Sequence, residues 1–219
     1  MDLDAQRRAA GERAAQFVQD GMVIGYGTGR GATAALEALV KRKVRVRGVP
    51  TSEKTVAICK RLGLEMVDFD HHPRLDLVVD GADEVDPRGQ LLKGGGGAHV
   101  REKLVALASA RRIVVVEEAK LVPHLGATRG VPIEVVAFGW RGTLERIAAV
   151  LPGATHREGP PTDNGGVVVD APLPAGANLE RIDRALKGIA GVVDHGLFLD
   201  LSPTVVVGGP SGVRVISGG

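Results

Sequence analysis

Residues 22–42 read MVIGYGTGRGATAALEALVKR and contain the pattern that decides the fold. The apolar segment MVIGY (22–26) predicts a buried strand, and the glycines that follow it predict a tight turn. The segment ATAALEALVKR then predicts a helix, because its apolar residues recur at helical spacing. A strand that leads into a helix through a glycine turn is typical of an α/β protein with a parallel sheet.

The same alternation of strands and helices extends on both sides of this segment. The predicted elements are a helix over 4–19, the strand VRVRGV (44–49), a helix that Ser52 can cap, the strands EMVDF (65–69) and LDLVV (75–79), a helix over 99–110 and the strand RRIVVVEE (111–118). Strands with continuous Val and Ile are usually buried on both faces of a sheet. We therefore predict a Rossmann-like, mostly parallel sheet with helices on both faces.

The pattern changes after about residue 126. The predicted elements there are the strand VPIEVVAF (131–138), the helix RGTLERIAAVL (141–151), a Gly/Pro-rich connection (152–166), the strand GGVVVDA (165–171), a helix over 179–187 and the strand GVVDHGLFL (191–199). This order indicates a smaller α+β domain of the ferredoxin-like kind. The tail PTVVVGGPSGVRVI (203–216) predicts two short strands that return to the first domain. We expect one catalytic α/β domain at 1–125 and 200–219, and a small α+β domain at 126–199.

Composition and charge exclude several classes of function. The net charge is +2 with scattered basic residues, and aromatic residues make up 3% of the chain, so no nucleic-acid partner is expected. No apolar run reaches the roughly 20 residues that a membrane span needs. The charged N-terminal segment lacks the apolar stretch of a secretory signal, and the single cysteine, Cys59, agrees with a reducing compartment. We expect a cytoplasmic protein in which the Cys59 thiol is buried.

The glycine turn GYGTGRGA (25–32) is the first candidate binding site. Backbone N–H groups of such a turn can surround a phosphate at the start of a helix. Gly27, Gly29 and Ala32 also satisfy the dinucleotide fingerprint, but that fingerprint requires an acidic residue at the end of the second strand. The chain has Thr51 and Ser52 there, whose hydroxyls suit a small polyol or a helix cap. A dinucleotide site and a purely structural turn remain alternatives, and we favour a phosphate site without a nucleotide.

The second candidate site lies in DGADEVDPRGQLLKGGGGAHVREK (80–103). The strand LDLVV brings Asp80 to its carboxyl end, which is where open α/β sheets bind their ligands. Asp83, Glu84 and Asp86 follow on a loop, and clustered carboxylates of this kind can hold a divalent metal. However, the calcium-loop pattern is absent, and Lys93 would compete with a cation. We therefore expect no metal, and a solvated acidic loop is the other alternative.

The four glycines at 94–97 allow the backbone to contact a ligand directly, although a flexible hinge would have the same composition. Glu102 is expected about one turn into the helix that follows them. Proton transfer beside a sugar carbonyl needs a carboxylate base and donors that stabilise the developing enediolate oxygen. A bound phosphate would supply binding energy and orientation from the far end of the substrate. Together, Glu102, Lys93, the two aspartates and the glycine turn meet these needs.

These motifs resemble those of ribose-5-phosphate isomerase of the A type. The resemblance rests on GTGRGATAAL (27–36), PTSEKT (50–55), DLVVDGADEVD (76–86), KGGGGAHVREK (93–103) and GVVDHGLF (191–198), in the same order over nearly the whole chain. It implies interconversion of ribose 5-phosphate and ribulose 5-phosphate through an enediol intermediate, in the non-oxidative pentose phosphate pathway. It also implies that there is no metal or organic cofactor, and that the protein is a homodimer or a dimer of dimers.

The resemblance also assigns roles by position. Glu102 would be the base that moves the proton between C1 and C2, and Lys93 would stabilise negative charge on the reacting oxygens. Asp83 would assist ring opening and hydroxyl proton transfer, with Asp80 beside it. The residues implied to bind the substrate are Thr28, Gly29, Arg30, Gly31, Asp80, Gly81, Ala82, Asp83, Lys93, Gly94, Gly95, Gly96 and Lys120.

The phosphate turn departs from the family pattern. The family turn commonly reads GTGST, whereas residues 27–31 of this chain read GTGRG. Arg30 could replace the missing hydroxyls by bidentate pairing with the phosphate, or Thr33 could supply a hydroxyl from the start of the helix. Arg101 and Arg7 are further candidates for phosphate binding.

Two other classes of function require features that the sequence lacks. A sugar-phosphate sensor that regulates transcription would need a DNA-binding segment, and only about twenty residues precede the first predicted strand. A dinucleotide-dependent dehydrogenase would need the ribose-binding acid that is missing after the second strand.

Overall fold

The computed structural model describes residues 2–217, so the ends of the predicted first domain, Met1, Gly218 and Gly219, lie outside the described residues. The helices are α1 Leu3–Ala15, α2 Arg30–Lys41, α3 Glu53–Leu62, α4 His99–Ala108, α5 Trp140–Val150 and α6 Leu179–Lys187, with a short 3-10 helix at Glu118–Lys120. The strands are β1 Val23–Tyr26, β2 Arg47–Pro50, β3 Glu65–Met66, β4 Leu75–Asp80, β5 Glu84–Val85, β6 Leu91–Leu92, β7 Ser109–Glu117, β8 Val131–Val135, β9 Thr155–His156, β10 Val167–Ala171, β11 Val192–His195, β12 Leu197–Phe198, β13 Thr204–Gly209 and β14 Gly212–Ser217. Among the helices of residues 2–217, none is long and apolar enough to cross a membrane.

The largest sheet has seven strands in the order β14-β13-β7-β4-β1-β2-β3. Every neighbouring pair is parallel except the hairpin of β13 and β14. From β3 to β13 the strands follow the doubly wound order 3-2-1-4-5-6, in which the chain reverses direction across the sheet between β1 and β4. The predicted fold class is therefore confirmed, and the two tail strands do join this sheet.

Helices cover both faces of this sheet at β1. Ile24 and Tyr26 belong to the core cluster that includes Leu36 of α2. A methyl group on Gly25, between them, would overlap the side chain of Val105 in α4. Successive side chains of a strand point to opposite faces, so α2 and α4 pack on opposite sides of the sheet.

The second sheet is antiparallel, with the strand order β11-β8-β10-β9. The elements from β8 to β11 follow one another as β-α-β-β-α-β, which confirms the ferredoxin-like order. The two-residue strand β9 lies inside the connection that was predicted to be irregular. The hydrophobic core between this second sheet and its helices contains Val131 and Ile133 of β8, Ile147 of α5, Val169 of β10 and Leu186 of α6.

The segment GVVDHGLFL, predicted as one strand, is two strands in different sheets, so this prediction is wrong. β11 pairs with β8, whereas β12 pairs with β6 in a three-stranded sheet of order β12-β6-β5. The break is at Gly196, whose N–H donates to the Pro132 carbonyl at 2.7 Å and whose carbonyl accepts from Lys93 N–H at 2.9 Å. Gly196 therefore bonds to two different parts of the chain, which the alternation of residues along one segment does not reveal.

The chain divides into two compact units. Unit 1 contains residues 2–82, 101–120 and 201–217, and unit 2 contains residues 83–100 and 121–200. The predicted boundaries placed 83–100, 121–125 and 200 in the first domain, whereas these residues lie in unit 2. The reason is that Glu84 accepts hydrogen bonds from Gly126 and Thr128, and that β6 pairs with β12, both within unit 2.

Candidate active site

The glycine turn after β1 is held by Asp80, the last residue of β4. The N–H groups of Thr28 and Gly81 donate to Asp80 Oδ1 at 3.0 and 2.7 Å. A methyl group on Gly27 would overlap the Asp80 carboxylate, so only glycine permits this approach. Asp80 is 4% exposed. It therefore joins β1 and β4 at the switch point of the sheet, the place where doubly wound proteins bind ligands.

The first turn of α2 presents unpaired backbone donors. Gly29 precedes the helix with φ of 110°, and no side chain caps this end. The first N–H groups of a helix have no partner inside the helix, and none of the described residues accepts from those of Arg30, Gly31 and Ala32. These donors and the positive end of the helix dipole can bind an anion.

The hydroxyl of Thr28, a predicted phosphate ligand, lies within a buried cluster of hydroxyls. Thr28 Oγ1 donates to Ser52 Oγ at 2.7 Å and lies 2.8 Å from Thr51 Oγ1 and 3.0 Å from Thr55 Oγ1. Ser52 also accepts from the Thr55 N–H and caps α3, as predicted. These hydroxyls bond to one another, and Thr51 and Ser52 are buried, so the cluster holds Thr28 of the turn against the interior of unit 1.

The two side chains considered as replacements for the family hydroxyls differ in their contacts. The Thr33 hydroxyl donates to the Gly29 carbonyl at 2.9 Å, which uses its only proton. The Arg30 side chain is exposed and makes no hydrogen bond or ion pair with another described residue. Of the two, Arg30 is the side chain that can bind an anion at this turn without losing an existing contact.

Glu102 is a buried carboxylate on α4, 5% exposed. It lies one helical turn before Val105, on the same face, and Val105 packs against Gly25 of β1. Because α4 ends where β7 begins, at the amino edge of the sheet, earlier residues of α4 lie nearer the carboxyl edge. Glu102 therefore faces the same edge of the sheet as the glycine turn and Asp80.

The other cations proposed for phosphate differ in their availability. Arg101 donates to Glu53 at 3.0 Å, and Arg7 bonds to both Glu117 and Asp4. Burial lowers the pKa of Arg7, but the hydrogen bonds and charges of Glu117 and Asp4 together outweigh it and raise the pKa, so the guanidinium stays charged. Lys120, in the 3-10 helix after β7, is half-buried and makes no ion pair within residues 2–217.

In unit 2, Asp83 is bonded to the glycine loop. The Gly95 N–H donates to Asp83 Oδ2 at 2.7 Å, and Arg129 Nη1 lies 3.0 Å from the same oxygen. A methyl group on Gly95 would overlap the Arg129 guanidinium, which passes directly over this residue. Arg129 was not predicted from the sequence, since it lies 34 positions after Gly95 in an irregular segment.

Lys93 begins the glycine loop and is 4% exposed. Its N–H donates to the Gly196 carbonyl, and its ammonium lies 5.5 Å from the centre of the Phe198 ring. The loop turns sharply after it, because the Gly97 N–H donates to the Gly94 carbonyl at 3.0 Å. This turn has defined hydrogen bonds, which does not agree with a flexible hinge.

The loop is also bonded to Arg157, a second residue that was not predicted. Arg157 Nη1 donates to the carbonyls of Gly94 and Gly95 at 2.8 and 3.2 Å. The remaining nitrogens of the guanidinium, Nε and Nη2, pair with the two oxygens of Asp170 in β10. Arg157 lies in the Gly/Pro-rich connection, whose composition predicted only a loop.

Glu84 and Asp86, the other acidic residues of the cluster, are structural. Glu84 is buried and accepts the N–H groups of Gly126 and Thr128. Asp86 accepts those of Arg88 and Gln90, both at 2.9 Å. These bonds exclude the solvated loop. Within residues 2–217, no group of three His, Cys, Asp or Glu side chains is arranged to hold a metal ion.

Cys59 is fully buried in α3, as predicted. Burial raises the pKa of its thiol to about 11, so the reactive thiolate is scarce near neutral pH.

The predicted site residues therefore form two groups, each ordered within its own unit. Unit 1 contains Thr28, Gly29, Arg30, Gly31, Asp80, Gly81, Ala82, Glu102 and Lys120, and unit 2 contains Asp83, Lys93, Gly94, Gly95 and Gly96. The geometry of unit 1 defines a class: doubly wound α/β proteins with an anion site at the switch point.

Comparison with known proteins identifies the family. The family model described as ribose 5-phosphate isomerase A (phosphoriboisomerase A) matches residues 47–212. The ribose-5-phosphate isomerase A of Thermomicrobium roseum is 41% identical over 99% of this chain and 95% of its own length. That of a Caulobacter species is 44% identical over 97% of this chain and 98% of its own. The chain belongs to the ribose 5-phosphate isomerase A family.

Solved structures agree with this assignment. A D-ribose-5-phosphate isomerase in complex with phospho-erythronic acid has a TM-score of 0.94 and 32% identity, and the match covers 99% of this chain and 100% of that one. The ribose 5-phosphate isomerase A of Methanocaldococcus jannaschii has a TM-score of 0.91 and 31% identity, over 97% of this chain and 98% of its own.

Proposed function

We propose that this chain interconverts D-ribose 5-phosphate and D-ribulose 5-phosphate through an enediol intermediate. Family membership over nearly the whole length supports the reaction. The observation that carries it is the pairing, within unit 1, of an anion site at the start of α2 with the buried carboxylate of Glu102. Phospho-erythronic acid, bound by one relative, is a sugar acid phosphate whose planar carboxylate resembles an enediolate.

The phosphate of the substrate binds at the glycine turn in this proposal. The N–H groups of Arg30, Gly31 and Ala32 donate to its oxygens, and the helix dipole favours its charge. The Arg30 guanidinium supplies the side-chain contact in place of hydroxyls, because Thr33 is bonded to Gly29. Lys120, which follows β7 at the same edge of the sheet, adds a second positive charge. Asp80 acts by holding the turn in place through the Thr28 and Gly81 amides.

Glu102 is the proposed base. In the open-chain aldose it removes the proton from C2, the electrons of the broken C–H bond form the C1–C2 double bond, and the C1 carbonyl electrons move to O1 to give the enediolate. The hydroxyl proton of O2 passes to O1, and Glu102 returns its proton to C1 as the carbonyl forms at C2, so no proton, electron or atom is gained overall. A buried carboxylate on a packed helix is held in one position, which is what proton transfer between adjacent carbons requires.

Lys93 and Asp83 complete the proposed chemistry. The Lys93 ammonium stabilises negative charge on O1 and O2, and its buried position strengthens that interaction. Asp83 moves protons between the sugar hydroxyls during ring opening. The backbone of Gly94, Gly95 and Gly96 contacts the sugar. These groups provide the base and the charge stabilisation, so we infer that neither a metal nor an organic cofactor is needed.

A direct assay tests the function. The purified chain is incubated with ribose 5-phosphate in the presence of EDTA, and ribulose 5-phosphate is measured. Turnover under these conditions would establish both the reaction and its independence of metal. An inactive but folded protein would refute the proposed reaction, and activity that returns only with added metal would refute the proposed absence of a cofactor.

We also infer a cytoplasmic homodimer or dimer of dimers. The buried free thiol of Cys59 supports a reducing compartment. Phe138 is 94% exposed, next to the exposed Val136, and exposed apolar groups of this size often lie at subunit contacts. Sedimentation velocity tests this point, and a monomer at micromolar concentration would contradict it.

A further inference from the structure

We propose that Arg157, held by Asp170, is a positioning residue that directs the Gly96 N–H of the glycine loop towards the substrate. This inference rests on the proposed function, in which the loop contacts the sugar. It concerns residues of unit 2 only.

All three guanidinium nitrogens of Arg157 make hydrogen bonds. Nε and Nη2 pair with the Asp170 carboxylate, and Nη1 donates to the carbonyls of Gly94 and Gly95. The planar fork of an arginine bound to a carboxylate in this way has one orientation. Because Asp170 lies in the regular strand β10, paired with β8 and β9, the Arg157 side chain connects the loop to this sheet.

Peptide geometry then determines where the N–H groups of the loop point. In a trans peptide the C=O and the next N–H point in opposite directions. The Gly94 carbonyl points to Arg157, and the Gly95 N–H accordingly points away from it, to Asp83 Oδ2 at 2.7 Å. The Gly95 carbonyl also points to Arg157, so the Gly96 N–H must point to the side on which Asp83 lies.

The Gly96 N–H is available to a ligand. None of the described residues accepts a hydrogen bond from it, and a methyl group built on Gly96 would meet no atom within 4 Å. Gly96 is exposed, so this donor is open to a ligand on the Asp83 side of the loop. It can donate to a sugar oxygen there, and its direction depends on Arg157 rather than on any regular secondary structure.

Kinetics of Arg157→Lys test the proposal. Lysine keeps the positive charge but cannot pair with Asp170 and also donate to two carbonyls. We expect kcat to fall by about 10- to 100-fold, the scale for displacement of a positioned group, with a much smaller change in KM because the phosphate is bound elsewhere. Arg146→Lys is the matched control, since Arg146 also donates to a backbone carbonyl of unit 2, that of Ala190. It should leave kcat unchanged.

Hydrogen exchange separates positioning from a general loss of structure. In the wild type the Gly95 amide should exchange slowly, because it is bonded to Asp83, and the Gly96 amide should exchange fast. Arg157→Lys should remove the protection of Gly95 while the melting temperature and the protection of β8 and β10 are retained. If Arg157→Lys does not fold, Asp170→Asn carries the same test, because it loosens the guanidinium without removing it.

The outcomes are distinct from those of the proposed function. If the wild type is inactive on ribose 5-phosphate, the function fails, yet the exchange of Gly95 still tests the orientation of the loop. If the wild type is active and Arg157→Lys keeps kcat within about twofold of it, or keeps the protection of Gly95, the positioning role of Arg157 is refuted.

Discussion

The glycine turn of unit 1 and the glycine loop of unit 2 have similar composition but are held in different ways. In the turn at 27–31, the donors are the first N–H groups of a regular helix, and Asp80 contacts the backbone directly. In the loop at 94–97, no helix or strand orients the peptides, and the side chains of Arg157 and Asp83 do so instead. A glycine-rich segment can therefore be held in one conformation either by an adjoining regular element or by distant side chains.

The largest expected effect is a loss of catalysis, and it comes from a residue outside both glycine segments. Glu102→Gln removes the proposed base but keeps the size of the side chain, so kcat should fall by about 10²–10⁴-fold, the usual contribution of a general base. Binding of phospho-erythronic acid, measured by calorimetry, should persist because both glycine segments are intact. Glu12→Gln, an exposed glutamate paired with Lys41, is the control. Parental turnover in Glu102→Gln would show that another group is the base.

The next largest effect is on the free energy of unfolding, which should differ between substitutions in the two glycine segments. Gly27→Ala places a methyl group against the Asp80 carboxylate, so we expect a loss of about 1–3 kcal/mol in the free energy of unfolding, as for other overpacked sites. Gly96→Ala has open space and should unfold at the parental denaturant concentration. Equal destabilisation of the two variants would mean that the turn and the loop are not held differently.

A smaller effect tests which side chain assists the turn. Arg30→Ala should raise KM for ribose 5-phosphate by about tenfold, the scale of one charge-assisted hydrogen bond, and the effect should shrink at high salt. Thr33→Val should change KM less, because the Thr33 hydroxyl donates to Gly29 rather than to a ligand. The reverse ranking of the two variants would assign the phosphate contact to Thr33.

The smallest expected effect is a pH dependence of stability that comes from the Cys59 thiol. The pKa of its thiol rises from 9.0 to about 11 on folding, so the folded state retains the proton more firmly. The protonated Cys59 thiol contributes its full stabilisation below pH 9, and this contribution is lost as the pH rises towards 11. Between pH 9 and 11 the free energy of unfolding should therefore fall more in the wild type than in Cys59→Ala. An identical pH dependence in the two proteins would contradict the raised pKa.

The same thiol also sharpens the comparison of the glycine segments. Cys59 lies in α3, and the hydroxyls of Ser52, which caps this helix, and of Thr55, in its first turn, bond to Thr28. Its modification by a thiol reagent should therefore be faster in Gly27→Ala than in wild type and unchanged in Gly96→Ala. Faster modification in Gly96→Ala would show that the loop affects unit 1.

Much of the fold could be predicted because it depends on local patterns. The apolar runs of β1 and β4 and the helical spacing of α2 and α6 are properties of short segments, and the structure has these elements close to the predicted bounds. The two-residue strands β5, β6 and β9 were missed, because two residues show no periodicity. The predicted single strand over 191–199 failed because the break at Gly196 depends on Pro132 and Lys93.

The candidate site divides in the same way. The residue types and their order along the chain indicated the turn, Asp80, Asp83, Lys93 and Glu102 before any coordinates. Arg129 could not be found in this way, since its contact with Asp83 joins distant, irregular segments. Arg157 is similar, because its contact with Gly94 spans 63 positions and nothing near it in sequence marks it.

By itself, the sequence determined the doubly wound α/β class, the ferredoxin-like order of the smaller unit and the positions of the two glycine-rich segments. These follow from periodicity, glycine content and motif spacing, which act over a few residues. Only the tertiary structure decided that 83–100 belongs to unit 2, that Thr28 is bonded to other hydroxyls, and that Arg157 orients the loop. The physical reason is that a hydrogen bond needs its two groups within about 3 Å, and folding alone brings such distant residues together.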